Sequence, residues 1–344
     1  MHSPLQRQGG DLRHLQSAND YVDLSTCVNR YGPPPATARV VREFEFSDLA
    51  AHPFGAEEGF IAAYSRHLGV PEEHLVAGRG ITEFIWTLSR ILPANATAAV
   101  TPDYTDIIAA FPNHVAGPAP EEESPSTRLS ALASAMSGHR FVILSNPNNP
   151  LGTYVPTAEL ADLCRSRPDS TLIVDESYLV FSPHHDSSLV GFDLPNAVVL
   201  QSPTKLFGVA GIRTGVLCTR NRRLLAALED EKLTWPLSLL DSIIAQAALS
   251  EAEWAAQTRE RLLRQAEGMQ AALEASPLGV LAGAPVHYRF VPADDPSTIH
   301  KRLLDLGFVV RAFNGAEPGR VSGLRITTPI EDELAAFARA LETI

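Results

Sequence analysis

The chain has 344 residues, 45% hydrophobic and 20% charged, a balance that excludes a disordered or fibrous protein and at this length predicts about two domains. With 28 Lys and Arg against 40 Asp and Glu, the formal charge of −12 repels phosphate backbones and anionic lipid. Neither nucleic acid nor a membrane surface is therefore an expected partner. Residues 1–16 hold no apolar stretch of the signal-peptide kind, and no later run reaches the roughly 18 apolar residues that a membrane span needs. Cys27, Cys164 and Cys218 are far apart and odd in number, which reads as reduced thiols in a cytoplasmic protein.

From about residue 75 to 220, short apolar runs alternate with helical patterns, which predicts βα units and a largely parallel sheet. Strands are expected at 98–101, 141–144, 172–174, 197–200 and 215–218. Each is followed by polar, Gly or Pro residues, and in open α/β sheets the loops after the strands carry the ligand. An acidic, proline-rich connection at 118–125 precedes a helix over 126–136 that stops at Gly138. Residues 222–275 are rich in Ala, Leu, Glu and Arg and predict long helices interrupted only at Pro236. Beyond them, strand patterns at 286–291, 308–313 and 324–329 mix with helical ones at 297–306 and 331–343. That mixture predicts a smaller α+β domain with an antiparallel sheet.

The residues that can carry chemistry cluster in the loops. VAGRGITEFIW (76–86) places Gly78 and Gly80 just before a helical pattern, where free N–H groups and the positive helix end suit a phosphate held by Gly80, Ile81 and Thr82. Glu83 stands where a GxGxxG segment needs its third glycine, which disfavours a dinucleotide fold. VTPDYTDI (100–107) puts Tyr104 after a strand. In SNPNNPLGT (145–153), Asn149 between rigid neighbours either presents its amide to a ligand or belongs to an ordinary Asn-Pro turn. In LIVDESY (172–178), Asp175 ends an apolar strand, a place from which a carboxylate can pair with a protonated pyridine nitrogen. Tyr178 can donate to the same ring's phenolate oxygen; a capped strand end with a packed tyrosine is the other reading.

QSPTKLFGVAGIRTG (201–215) is the most informative stretch. Lys205 follows an apolar strand directly, lysine forms Schiff bases with aldehydes, and Ser202, Thr204 and Arg213 are donors suited to a phosphate. Together these point to pyridoxal 5′-phosphate, with a solvated loop lysine as the alternative. The run His184, His185, Asp186 lacks a third spaced ligand, so no metal is expected.

SNPNNPLG, VDESY and SPTKLFGVAGIRTG, in this order and at these separations, resemble the fold-type I pyridoxal-phosphate enzymes of the class I/II aminotransferase group. The resemblance is strongest to its histidinol-phosphate aminotransferase and threonine-phosphate decarboxylase branch. DLSTCVNRYGPPP near the start and LRITTP near the end extend it over nearly the whole chain. It implies an α/β fold: a large, mostly parallel-sheet domain at 41–235, an interdomain helix and small α+β domain at 236–344, and an N-terminal arm at 1–40 contributing to the small domain. It implies Lys205, Asp175 and Tyr178 as the catalytic set, with Lys205 the Schiff-base lysine and Asp175 at the pyridine nitrogen. Asn149 and Tyr178 would meet the phenolate oxygen, and Tyr104 would stack on the ring. Ser202 and Arg213 fall where the family binds phosphate. Arg325 matches the arginine that takes the substrate's α-carboxylate, with a guanidinium fork suited to it.

The resemblance also implies a homodimer with sites near the subunit interface. Where many relatives have a Tyr-Pro-Asp segment whose tyrosine reaches the partner's coenzyme, this chain has Ala51-His52-Pro53-Phe54, so His52 either takes over that contact beside the substrate or leaves it unmade. Leu151 replaces a usual threonine, Pro203 sits inside the lysine segment, and Tyr288 stands near a usual Asn-Phe. Amino-group transfer from an amino acid or amino-acid-like amine is the expected reaction, because Arg325 would hold the carboxylate near the ring plane and favour proton loss at Cα. Other reactions on the same scaffold are the first alternative: decarboxylation, β- or γ-replacement, cyclisation or oxidation. A coenzyme-binding regulator without turnover is the remote one.

Overall fold

Five runs of five residues are buried along their whole length, and such runs fit only inside a sheet covered on both faces. The structure in which they lie is a computed structural model that describes residues 9–13, 15, 21–281 and 283–344. The reading of residues 1–16 falls largely outside that range. In chain order the strands are β1 (Val22–Asp23), β2 (Leu75–Gly78), β3 (Thr97–Thr101), β4 (His114–Ala116), β5 (Phe141–Ser145) and β6 (Thr171–Asp175). They continue with β7 (Ala197–Gln201), β8 (Gly215–Thr219), β9 (Tyr288–Pro292), β10 (Phe308–Val309), β11 (Arg311–Phe313) and β12 (Gly323–Thr327).

The main sheet has the order β2-β8-β7-β6-β5-β3-β4. Strands β3 to β7 run parallel to one another, and β8 turns back antiparallel between β7 and β2. The α/β class and the five expected strands are present. Sequence reasoning missed β2 and β4, which are too short to show a period; β4 is also a half-exposed edge strand.

Side chains alternate between the two faces. Val142, Leu144, Leu172, Val174, Val199 and Val216 enter one apolar cluster, while Phe141, Ile143, Ile173, Val198, Leu200 and Leu217 enter the other. Strand β3 has β4 on one side and β5 on the other, so the winding reverses there. A crevice for a ligand opens at the carboxyl ends of strands at such a reversal. The loops after β3, β5, β6 and β7 all reach that edge, and the end of β2 joins them because Gly78 pairs with Gly215 at the start of β8.

The expected helical stretch 222–275 is three helices, Arg222–Glu231, Leu239–Leu249 and Ala252–Glu274. The first gap is wider than one proline, because Ser238 caps the next helix by accepting from the Asp241 N–H. The second break, at Ser250 and Glu251, has no signal in composition. The stretch 308–313 is likewise divided: β10 pairs with β1, whereas β11 joins the antiparallel sheet β11-β12-β9. Leu24, Met269, Leu303, Phe308, Leu324, Ile326 and Phe337 form the core against that second sheet. No helix among the described residues is long and apolar enough to cross a membrane, and all three cysteines are free and buried.

Ile143 is fully buried and lies between Ala99 and Ile173 in the register of the main sheet. Ile143→Ala should lower stability by about 2 to 5 kcal/mol, read from urea unfolding followed by circular dichroism.

Candidate active site

The Lys205 loop closes on itself at its base. Ser202 Oγ donates to the Thr214 carbonyl at 2.7 Å and lies 2.8 Å from Thr204 Oγ1, so two hydroxyls bind within the loop and turning one toward a ligand requires rotation. The Lys205 carbonyl accepts from the Asn29 N–H at 2.9 Å, and Asn29 Nδ2 donates to the Leu206 carbonyl at 3.0 Å. These bonds lash the N-terminal segment onto the lysine. Burial lowers the pKa of Lys205; nearby Cys27 and Asp175 oppose the shift, while Arg325 and Arg213 add to it. The shift favours the neutral amine, the form that attacks an aldehyde.

Asp175, at the end of β6, is 3% exposed. Its Oδ1 accepts from the Ser177 N–H at 2.9 Å. Burial pushes its carboxyl up to about 6, opposed by the Ser177 bonds and by Lys205. A cationic ring nitrogen is the kind of partner that would hold it ionised. Tyr178, directly after Ser177, packs edge-on against Tyr288 at 5.1 Å between ring centroids. Burial raises the Tyr178 pKa well above its ordinary value, so the phenol stays a donor.

Asn149 lies in the loop after β5 and Arg325 on β12, and the two meet: Arg325 Nη1 donates to Asn149 Oδ1 at 2.6 Å. Arg325 Nη2 donates to the Ser25 carbonyl at 2.9 Å, and its buried Nε has no partner among the described residues. With Oδ1 taken by Arg325, the Asn149 Nδ2 is left as a donor on its other side.

On the opposite flank, Gly80 caps the helix Ile81–Ile91 with φ +82° and no side-chain cap, so the first N–H groups of that helix point out unpaired. A Cβ at Gly80 would come within 3.0 Å of Arg213 Nη2, and one at Gly215 within 2.8 Å of the Gly80 backbone. Arg213 is exposed, and the hydroxyl of buried Thr214 has no partner among the described residues. Burial raises the Tyr104 pKa, with Asp106 adding to the shift and Thr82 opposing it, which places the loop after β3 near the start of this helix. A helix end, a guanidinium and an orphaned hydroxyl form an anion cradle; with the buried amine, the carboxylate and the amide donor, they fit a phosphorylated pyridine aldehyde.

His52 lies elsewhere on this chain, exposed and stacked on Trp235 at 3.9 Å. The HHD run holds no metal cluster among the described residues; His184 stacks on Tyr154 at 4.5 Å. Sequence reasoning missed Ser25, Asn29, Cys27, Asp103, Ser145 and Thr214, whose short polar side chains or carbonyls have no spacing signature.

Fold and site together define an α/β enzyme with a lysine-based pocket for a carbonyl coenzyme. Residues 19–341 match the family described as aminotransferase class I and II. The histidinol-phosphate aminotransferase of Shewanella oneidensis is 31% identical over 283 residues, covering 79% of this chain and 72% of that one. The histidinol-phosphate aminotransferase of Clostridium acetobutylicum superposes with a TM-score of 0.84 at 18% identity over 93% of this chain and 98% of that one. The Sinorhizobium meliloti enzyme of that name, solved with pyridoxal 5′-phosphate, superposes with 0.79 at 21% identity over 93% and 89%. The chain belongs to the aminotransferase class I and II family. It is a pyridoxal-phosphate-dependent aminotransferase.

Gly80→Ala places a side chain at positive φ against Arg213. It should destabilise the coenzyme-free protein by about 1 to 3 kcal/mol, measured by chemical unfolding.

Proposed function

We propose that Lys205 is the amine that binds the coenzyme, that Asp175 pairs with its ring nitrogen, and that Asn149 Nδ2 and the Tyr178 hydroxyl donate to its phenolic oxygen. Tyr104 takes the ring face. Gly80, Ile81, Thr82 and Arg213 hold the phosphate, with Ser202 and Thr204 reaching it by rotation. When bound, the coenzyme supplies an aldehyde that condenses with amines and a pyridinium that takes up the electron pair of a bond broken at Cα. Arg325 grips the α-carboxylate of the incoming amino acid, with Asn149 holding its fork in place. Lys205 Nζ, moved by burial toward its neutral form, takes the Cα proton. The observation that carries this reading is the Arg325–Asn149 bond, which sets a buried guanidinium with an unpaired Nε in the same pocket as Lys205 and Asp175.

The substrate class follows from a second arginine. Arg311 lies directly opposite Arg325 across β11 and β12, so both side chains stand on one face of that sheet. Burial, with Arg325 and Arg320 adding to it, lowers the Arg311 pKa to about 10. Crowded guanidiniums of this kind gain from an anion, and we infer a substrate whose side chain ends in one, such as the phosphate ester named for the Shewanella relative.

Residues 41–235 form the coenzyme-binding domain in this reading, and 236–344 the smaller one with the 1–40 arm, supported by the pairing of β1 with β10. A homodimer is supported by the exposed Phe46 (85%) and by the exposed Phe54 (78%), which lies edge-on to the stacked His52 and Trp235. A cytoplasmic home is supported by three free thiols.

An active amino donor should convert the yellow protein to the amine form of the coenzyme with stoichiometric 2-oxo acid, and a second 2-oxo acid should restore the colour. Carbon dioxide release without 2-oxo acid would overturn amino transfer. Arg311→Ala should lower kcat/KM for a phosphate-bearing donor by roughly 10- to 100-fold more than for its unphosphorylated counterpart, since a charged hydrogen bond is worth about 1.5 to 3 kcal/mol. Phe54→Asp should shift the sedimentation coefficient from dimer to monomer, and a wild-type monomer would remove the dimer from the reading.

A further inference from the structure

Asp103 stands one position before Tyr104 and is 1% exposed. Both of its oxygens are filled by donors. Oδ1 accepts from the Tyr104 N–H at 2.6 Å and from Ser145 Oγ at 2.7 Å; Oδ2 accepts from the Ser145 N–H at 2.8 Å and from Asn148 Nδ2 at 3.4 Å. The chain of bonds continues. Ser145 Oγ accepts from the Asn149 N–H at 3.0 Å, and Asn149 Oδ1 accepts from Arg325 Nη1 at 2.6 Å. Arg128 lies close enough for its charge to favour the ionised Asp103. It is fully buried and paired with Glu123 at 2.5 and 3.1 Å, and its Nη1 has no partner among the described residues.

The two backbone N–H groups on Asp103 cannot turn away, and they lie on different oxygens. A carboxylate offers an acceptor to each of them; an amide of the same size would set an NH2 against one. The single proton of Ser145 Oγ is given to Asp103, which leaves its lone pair facing the Asn149 N–H. Burial draws the Asp103 pKa up to about 7, while the Ser145 and Tyr104 donors and Arg128 pull it back.

We propose that Asp103 and Ser145 are positioning residues: the carboxylate, through the Ser145 hydroxyl, fixes Asn149 in the orientation that meets Arg325, and through the Tyr104 N–H it sets the place of that ring. The inference rests on the roles assigned above to Asn149, Tyr104 and Arg325. Neither Asp103 nor Ser145 touches substrate or coenzyme in it. Their effect reaches the chemistry through the Asn149 amide, whose two ends face Arg325 and the coenzyme's phenolic oxygen.

The test compares wild type, Ser145→Ala, Asp103→Asn and the double variant. In the coenzyme-free proteins, hydrogen exchange at the Asn149 backbone N–H should quicken about 10-fold or more once its acceptor is lost or released. In the holoenzymes, each single variant should lower donor kcat/KM by about 10- to 100-fold and shift the visible band and its pH midpoint. Coenzyme affinity should stay within about threefold in Ser145→Ala, which keeps the bond from the Tyr104 N–H to Asp103, and kcat/KM of the double variant should lie within about threefold of the worse single one. Unchanged exchange and spectra, or losses that multiply in the double variant, would overturn the proposal. Should Asp103→Asn fail to fold, Ser145→Ala alone decides, since it leaves the carboxylate and both backbone bonds in place. A wild type that binds no coenzyme overturns the functional reading; the exchange measurement, made without coenzyme, then still decides whether this chain of bonds holds Asn149.

Discussion

The Arg325 guanidinium cannot be buried between two sheets without acceptors, and the acceptors it finds govern how the pocket is put together. An unpaired buried charge costs several kcal/mol, so the carbonyl of Ser25 and the amide of Asn149 are held where the guanidinium needs them. Those partners lie 300 and 176 positions away in the chain. One side chain thus draws the N-terminal segment, the loop after β5 and the three-stranded sheet into a single pocket. The same N-terminal segment is pinned a few residues on, where Asn29 binds the backbone of the lysine loop at both ends of its own side of the contact. The leftover Nε gives the pocket a buried hydrogen-bond donor without a partner among the described residues.

The main sheet was legible because fully buried parallel strands leave unbroken apolar runs, and because the residues after those runs change character abruptly. Phe141–Ser145, Thr171–Asp175 and Ala197–Gln201 are of this kind, and the candidate residues Asn149, Asp175 and Lys205 stand at their ends or in the loops that follow. Short strands fare worse: β2 and β4 carry too few residues for a period of two to emerge. The stretch 308–313 reads as one strand, yet fully buried Val310 sits between two two- and three-residue pieces that pair in different sheets, a division made by tertiary partners that no local pattern announces. The break at Ser250 is of the same sort.

The polar supports of the site were invisible for a different reason. Ser25 contributes to Arg325 only through its carbonyl, which every residue has, and Thr214 stands out only because its hydroxyl has no partner among the described residues. Asp103 reads as one more turn aspartate beside a proline until β5 is placed next to β3 and Ser145 comes within reach. Arg128 reads as a surface helix residue until Glu123 is seen buried with it. In each case the role depends on which backbone is adjacent, and adjacency is a property of the sheet order.

Burial then sets the chemistry of the pocket in one direction. Lys205 is moved toward its neutral form, Asp175 up to about 6, and His287, stacked on Phe181 at 3.7 Å, down to about 3. Tyr178 and Tyr288 are held as phenols by the same desolvation. Arginine alone resists, since its intrinsic pKa is too high for burial to neutralise it, so the lasting charges of the pocket are guanidinium groups. The pocket thus combines guanidinium groups that stay charged with groups that burial holds toward their neutral forms. Such an arrangement depends on the arginines staying oriented. That is why the bonds from Asn149 and Ser25 to Arg325 matter as much as the lysine they surround.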